Sequence, residues 1–540
     1  MHLKKFSLKL TSIFQKYSIP LGLGIVAFLA VLGYKRLIPW NIAWLAQGEN
    51  QDMIQHYFGW EFFRNSGWNI PLGENPKYGI DIRNSIIYTD SIPLLAFIFK
   101  PFAYFLPETF QYFGIWLLIC FVMQSIFGWR LISIFIENTI SRVAVTLLFL
   151  FAPIFLERLN VHFALSGQFI VLAALGNYFT KKKNSNGLTW RLTLVFALLI
   201  HAYLFLMVLV IWIAAVIRST NRANDLKKGF LTAFILIATA SLSGYFVIPS
   251  GGEIYSAHYG IFRWNMASLF YPDGWSNTLK NVLEYDVNLE NSSYLGLGVI
   301  FLLFFALPQI QIAKSFMKTY WSLFFAMIFL LTFAISNNVG LGPLKFQFSL
   351  PASILKVFDL FRASGRMIWP IIYALILTGA VLLHRRFKIR TSTFILIVAA
   401  ILQIIDTQIG WKELNHDLHV GKSLGMKIDS RWNEIAKDYK EVVEIPKDNQ
   451  SENWLTMGQI ASKFGLATNI VYLSRVSSED VKQMAKEIEE EVKTCNLSES
   501  RIYILSDKEL LELCEAKRRG NVLISRINDL NVVRLDRSES

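Results

Sequence analysis

The strongest constraint in this chain is a series of apolar runs too long and too numerous for one water-soluble core. Residues 20–38 open the series. A helix of about 18 or more apolar residues, rising 1.5 Å at each, covers a hydrocarbon layer of roughly 30 Å. Comparable runs occupy residues 88–106, 110–137, 142–157, 163–180, 191–217, 229–248, 293–313, 319–336, 367–383 and 392–408. With 53% hydrophobic residues, 43 Phe and 15 Trp among 540 positions, lipid is the simpler solvent. The expectation is a predominantly α-helical polytopic membrane protein of about 11–13 spans, residues 1–410, followed by a soluble α/β domain, residues 411–540. No Ala-x-Ala cleavage pattern follows the first run, which reads as a retained anchor rather than a signal peptide.

Charge sets the expected orientation. The net charge is +13, yet residues 411–540 hold 20 basic and 23 acidic side chains, so the whole excess lies in the apolar part. That placement serves topology and argues against a nucleic-acid partner. Basic connectors at Lys4 to Lys16, Lys181 to Lys183, Arg218 to Lys228 and Arg385 to Arg390 should face the cytoplasm. The long, mixed or acidic connectors 39–87 and 249–292 should lie outside, as should 337–366 and the C-terminal domain. In a bacterial inner membrane, that places the N-terminus in the cytoplasm and the tail in the periplasm. Parity then requires an even number of passes before Lys181, together with a break of the 191–217 run at His201-Ala202-Tyr203.

The connector 337–366 breaks the charge rule, because it carries Lys345, Lys356, Arg362 and Arg366 against Asp359. A basic cluster on the outer face suits the phosphate of a lipid carrier. Headgroup contact, or folding against the acidic 249–292 connector, explains it as well.

In the tail, EVVEIP at 441–446, NIVYLSRV at 469–476 and RIYILS at 501–506 read as strands, and 454–466 and 477–495 as helices. Ser506 and Glu509 form a capping-box pattern, with Gly520 beyond the end of that helix. Cys120 sits in an apolar run. Cys495 and Cys514 either pair across about 18 residues or stay thiols.

Chemistry is most legible in the first outer connector, where Glu49 and Asp52 follow the first run directly. Tyr57, Phe58, Trp60, Phe62, Phe63 and Trp68 then suit a membrane interface. A carboxylate at that boundary can take a proton from a hydroxyl acceptor. Asp90 lies at the start of the second run, where it leaves the outer connector, and Thr89, Asp90 and Ser91 ahead of Pro93 equally form a helix cap. Glu157, Arg158, His162, Gln168, His201 and Tyr203 stand at or inside apolar runs, where polar groups need a partner or a wet cavity. P-loop, dinucleotide, nucleophile-elbow and zinc-protease signatures do not occur in the sequence.

The phrases QDMIQHYFGWEFFRNSGW, IIYTDSIPLLAFIFKP, FQYFGIWLL, LIHAYLFLMVLVIWIA and NSSYLGLG resemble an uncharacterised bacterial family within the GT-C superfamily of glycosyltransferases. That resemblance implies inverting sugar transfer from a polyprenyl-phosphate donor to a glycan, lipid or protein acceptor of the cell envelope. Carried onto this chain, Asp52 would be the general base, with Glu49 and Asp90 as companion carboxylates. His162, His201, Tyr203, Arg362 and Arg366 would bind the donor. Glu49 and Asp52 are the positions for a divalent cation, Mg or Mn, although no Asp-x-Asp pair stands there. Two other classes compete. A non-catalytic transporter or flippase of lipid-linked glycans needs charges along a midplane path, and a scaffold would work through its outer domain alone. The polar groups gather near run ends, which favours the transferase.

Overall fold

A computed structural model describes residues 2–46, 51–180, 187–219, 222–248, 258–281, 290, 293–415, 420–512 and 522–535. The fold is mostly helical, 63% of it helix, with a sheet near the C-terminus. Two compact units divide the chain. The first is built from Met1–Ile38, Tyr112–Leu236 and Ala257–Leu418, the second from Pro39–Gln111, Ile237–Ser256 and His419–Ser540.

Among the described residues of the first unit, three helices are long and apolar enough to cross a membrane: Phe113–Ile132, Ser364–Arg386 and Ile389–Asp406. A fourth results if Thr139–Leu150 and Pro153–Asn160, bent by 49°, count together. Other apolar runs of the sequence form helices of 10–17 residues, such as Leu188–Ile200, Ala202–Arg218 and Trp321–Ile335. Interruption explains the shortening. Pro153 stands at the first position of a new turn, where its missing N–H costs nothing. At His201 the backbone becomes extended, and the ring Nδ1 accepts the Tyr203 N–H at 3.1 Å, capping the second helix. The break expected at His201-Ala202-Tyr203 is therefore present.

Helix Phe113–Ile132 packs closely on the first helix, where Gly24 lets the backbones meet. A Cβ there would stand 2.7 Å from the Val122 Cα. At the far end of Ile389–Asp406, the buried Asp406 carboxylate accepts from the Tyr294 hydroxyl at 2.7 Å and the Leu297 N–H at 3.0 Å. Its burial is thereby satisfied.

The second unit carries a five-stranded sheet in the order β4-β3-β5-β7-β6; the hairpin strands β1 (Asn338–Leu341) and β2 (Leu344–Gln347) belong to the first unit. In the sheet, β3 (Glu441–Val443) runs parallel to β4 (Ala467–Thr468) and β5 (Arg501–Leu505). The strands β6 (Val522–Ile527) and β7 (Leu530–Leu535) close the other edge antiparallel. Residues 469–476 correct the strand reading, since they form no strand of the sheet; Tyr472 makes an isolated bridge to Gln450, and Val476 is a second single bridge residue. The capping box is formed: Glu509 N–H donates to Ser506 Oγ, and Ser506 N–H donates to Glu509 Oε2. Gly520 and Cys514 lie outside the described residues, and Cys495 takes part in a disulfide.

Three expectations for the first connector and the run after it are corrected here. Helix Asp52–Arg64 buries every residue from Met53 to Arg64, so its aromatics face protein and not an interface. Phe58 meets Trp454 edge to face at 6.0 Å, and Phe62 stacks on Tyr78 at 4.8 Å. The 88–106 run is no single span. It forms a seven-residue helix, Pro93–Phe99, preceded by left-handed Asp90 and Ile92 and continued by a 3-10 turn. Ile92 occupies the cap position and Asp90 ends the preceding turn, so the expected Thr89-Asp90-Ser91 cap does not form.

Candidate functional site

In the first unit, polar residues flagged across the sequence meet around one carboxylate. The chain bends after Leu150 and forms 3-10 turns at Glu157–Asn160 and Phe163–Ser166, which release Arg158 and His162 from regular helix. Arg158, 3% exposed, places its guanidinium 3.2 Å from one oxygen of Glu290 and 3.5 Å from Glu157. The other Glu290 oxygen accepts from Arg366. Arg366 lies 4.7 Å over the Tyr203 ring, and the Tyr203 hydroxyl accepts the Ala363 N–H at 2.8 Å. His201 stands 5.5 Å from Tyr203, and Arg362 faces the Phe262 ring at 5.9 Å.

A glycine makes this junction close. The Gly365 N–H donates to the Phe262 carbonyl at 3.0 Å, and a Cβ on Gly365 would fall 2.8 Å from the Glu290 carbonyl oxygen. Any side chain there would push the 262, 290 and 365 backbones apart.

The electrostatics are asymmetric. Burial would push the Glu290 carboxyl up, but the Arg158 and Arg366 guanidiniums, with a smaller contribution from His162, outweigh it and hold the group at about 2. Glu290 is therefore ionised at neutral pH, shared between two buried cations. Arg158 Nε has no hydrogen-bond partner among the described residues. The Arg263 backbone passes beside Gly365, and Arg362 faces the Phe262 ring. Two buried guanidiniums, Arg158 and Arg366, thus meet at one point, and paired guanidiniums suit a phosphate ester.

The second unit holds the other candidates. Asp52 is the first residue of its helix, and its Oδ1 accepts the Tyr472 hydroxyl at 2.9 Å. Gln51 accepts from the Trp454 indole at 3.1 Å, and Gln55 donates to the Tyr472 carbonyl at 2.9 Å. One turn beyond Asp52, the buried His56 Nδ1 lies 2.9 Å from the Thr89 carbonyl, next in sequence to Asp90. Glu49 lies outside the described residues. Among the described residues no cluster of three metal-ligating side chains occurs.

The tail domain also has a polar cleft at the carboxyl ends of β3 and β5, lined in part by Glu444, Asn453, Asp507 and Glu509. Burial pushes the Glu444 carboxyl up. The candidates from the sequence lie elsewhere.

The sequence thus marks His162, His201, Tyr203, Arg362 and Arg366, and the fold gathers them in one unit. Arg158 is marked in the sequence only among the polar groups at run ends, and Glu290 lies in the 249–292 connector with no mark of its own. Tyr472 and His56 carry no signal of their own in the sequence.

No curated protein and no solved structure matches the chain. Residues 21–408 match a family described as "Domain of unknown function (DUF6311)" and residues 431–535 match the "DUF6311 C-terminal domain", so the chain belongs to the DUF6311 family.

Proposed function

We propose that the protein is a polytopic membrane glycosyltransferase that moves a sugar from a polyprenyl-phosphate donor to a cell-envelope acceptor. Arg158, Arg366 and Tyr203 hold the donor phosphate, and Asp52 is kept as the general base that the family resemblance implies. The observation that carries this reading is the convergence of Arg158, His162 and Arg366 on the buried carboxylate of Glu290, with Tyr203 under Arg366.

The chemistry follows from charge flow. The acceptor oxygen bonds to the anomeric carbon as the bond from that carbon to the phosphate oxygen breaks, and the hydroxyl proton passes to a general base. Negative charge grows on the departing phosphate, so fixed guanidiniums stabilise the transition state more than the ground state. Glu290 keeps both arginines aimed and partly neutralised until the phosphate arrives.

The test is transfer of a radiolabelled sugar from its polyprenyl-phosphate carrier in membranes containing the full chain. Arg366→Gln is expected to lower kcat by about a hundredfold or more, and Asp52→Asn by a similar or larger factor. Activity within twofold of wild type for Asp52→Asn removes the base from the mechanism. The same result for Arg366→Gln removes the phosphate site.

A further inference from the structure

The hairpin of β1 and β2 leaves an apolar face uncovered, which a water-facing element would bury. Residues opposite one another in an antiparallel pair share a face. The register pairs Val339 with Phe346 and Leu341 with Leu344, which places both pairs and Phe348 on one side. That apolar side is bare: Leu344 is 68% exposed, Phe346 66%, Leu341 50% and Phe348 44%. The opposite side carries Asn338, Gly340, Lys345 and Gln347, and its glycine end is packed on protein. The buried Asn265 side chain donates to the Gly342 carbonyl and accepts the Gly342 N–H, each at 2.9 Å. The Arg263 guanidinium lies against Gly340, where a Cβ would come within 2.8 Å of it. A soluble hairpin buries its apolar face; here β2 is exposed on both sides, so the apolar face stays bare while Gly340 and Gly342 anchor the hairpin on a fixed scaffold.

The pattern continues past the hairpin. Helix Ala352–Phe358 and the turn after it leave Ile354, Val357 and Leu360 exposed at the three-residue spacing of one helical stripe. Lys345 and Lys356 are exposed within the same segment. On the N-terminal side, only Ser336 and Asn337 separate β1 from helix Trp321–Ile335, whose Trp321, Phe325 and Phe329 are exposed along its length. The bare apolar surface therefore runs from an apolar helix into the hairpin without a break in the chain.

We propose that residues 338–361 form an interfacial strap, seated in the headgroup and acyl boundary of the bilayer, with the apolar side down and Lys345 and Lys356 toward anionic lipid phosphates. Continuity with the apolar helix and the cationic rim select a lipid surface over a protein partner. The inference rests on the membrane reading above and is independent of the transfer chemistry.

Spin-label accessibility in full-length protein reconstituted with phosphatidylglycerol vesicles tests it. Cys120 is buried and Cys495 is disulfide-bonded, so introduced thiols are the accessible ones among the described residues. Labels go to Phe346→Cys and Val357→Cys, with Phe394→Cys on helix Ile389–Asp406 as the bilayer control and Glu479→Cys on the tail as the water control. The oxygen-to-nickel accessibility ratio at 346 and 357 is expected several-fold above that at 479 and approaching that at 394. Ratios at 346 and 357 equal to 479, with 394 still oxygen-rich, overturn the strap while leaving the membrane reading intact. A water-like 394 overturns both. Labels at 346 shielded from both relaxants assign the face to a protein partner and overturn the lipid proposal.

Discussion

Two connectors that look alike in composition end in opposite environments. Residues 39–87 and 337–366 are both rich in aromatic and apolar side chains. The first forms helix Asp52–Arg64, buried from Met53 onward, because the tail brings Trp454 and Tyr472 to cover it. The second leaves Leu344 and Phe346 two-thirds exposed, while Asn265 clamps the turn at Gly342. Apolar content therefore does not say whether a connector is covered by protein or left bare. The deciding fact is whether another segment supplies a complementary surface.

The largest expected effect breaks the first half of the contrast. Trp454→Ala removes a fully buried indole from against Phe58 and is expected to cost about 3–5 kcal/mol, read as a fall in the thermal unfolding midpoint of detergent-solubilised protein. An effect below about 1 kcal/mol would mean that the connector helix is not held by the tail.

Acid probes the ion junction beside the second connector. The Glu290 carboxyl is held at about 2, below its ordinary 4.5, so its contribution is complete above the ordinary value and is lost as pH falls toward 2. Wild type is expected to lose stability over that window. Glu290→Gln is expected to be destabilised at pH 7, since it strands two buried guanidiniums, and to show a flatter acid limb. An unchanged acid limb would place the titrating group elsewhere.

Asn265→Ala sharpens the second half. It deletes both hydrogen bonds to Gly342 and is expected to cost about 1–3 kcal/mol, seen as faster proteolytic cleavage near the hairpin tip. The smallest effect belongs to the bare face: Phe346→Ser is expected to shift stability in detergent by no more than about 0.5 kcal/mol. A larger loss would show that the face is covered.

The parts of this fold legible in the sequence are those written in local chemistry. His201 interrupts an apolar run and caps the next helix. Ser506 and Glu509 form the box that their spacing announces. Long runs give the three long apolar helices, while Pro153 and His201 cut their neighbours short. The unread parts depend on closure between distant segments. Asp52 meets Tyr472, 420 residues away, and Arg366 meets Glu290, 76 residues away. Neither pairing has a spacing rule. In the second connector, the alternation Leu344-Lys345-Phe346-Gln347-Phe348 is a strand signature that a count of charges overlooks.

The account turns on whether the Arg158–Glu290–Arg366 junction receives a lipid-borne phosphate. Photocrosslinking of the purified full chain with a diazirine-bearing polyprenyl phosphate, followed by peptide mapping, addresses this directly. Labelling is expected within 153–166, 196–205 or 358–370 and should fall at least tenfold in Arg366→Gln, with the unfolding midpoint recorded alongside. Equal labelling of wild type and Arg366→Gln in a folded variant, or labelling confined to other segments, would contradict it.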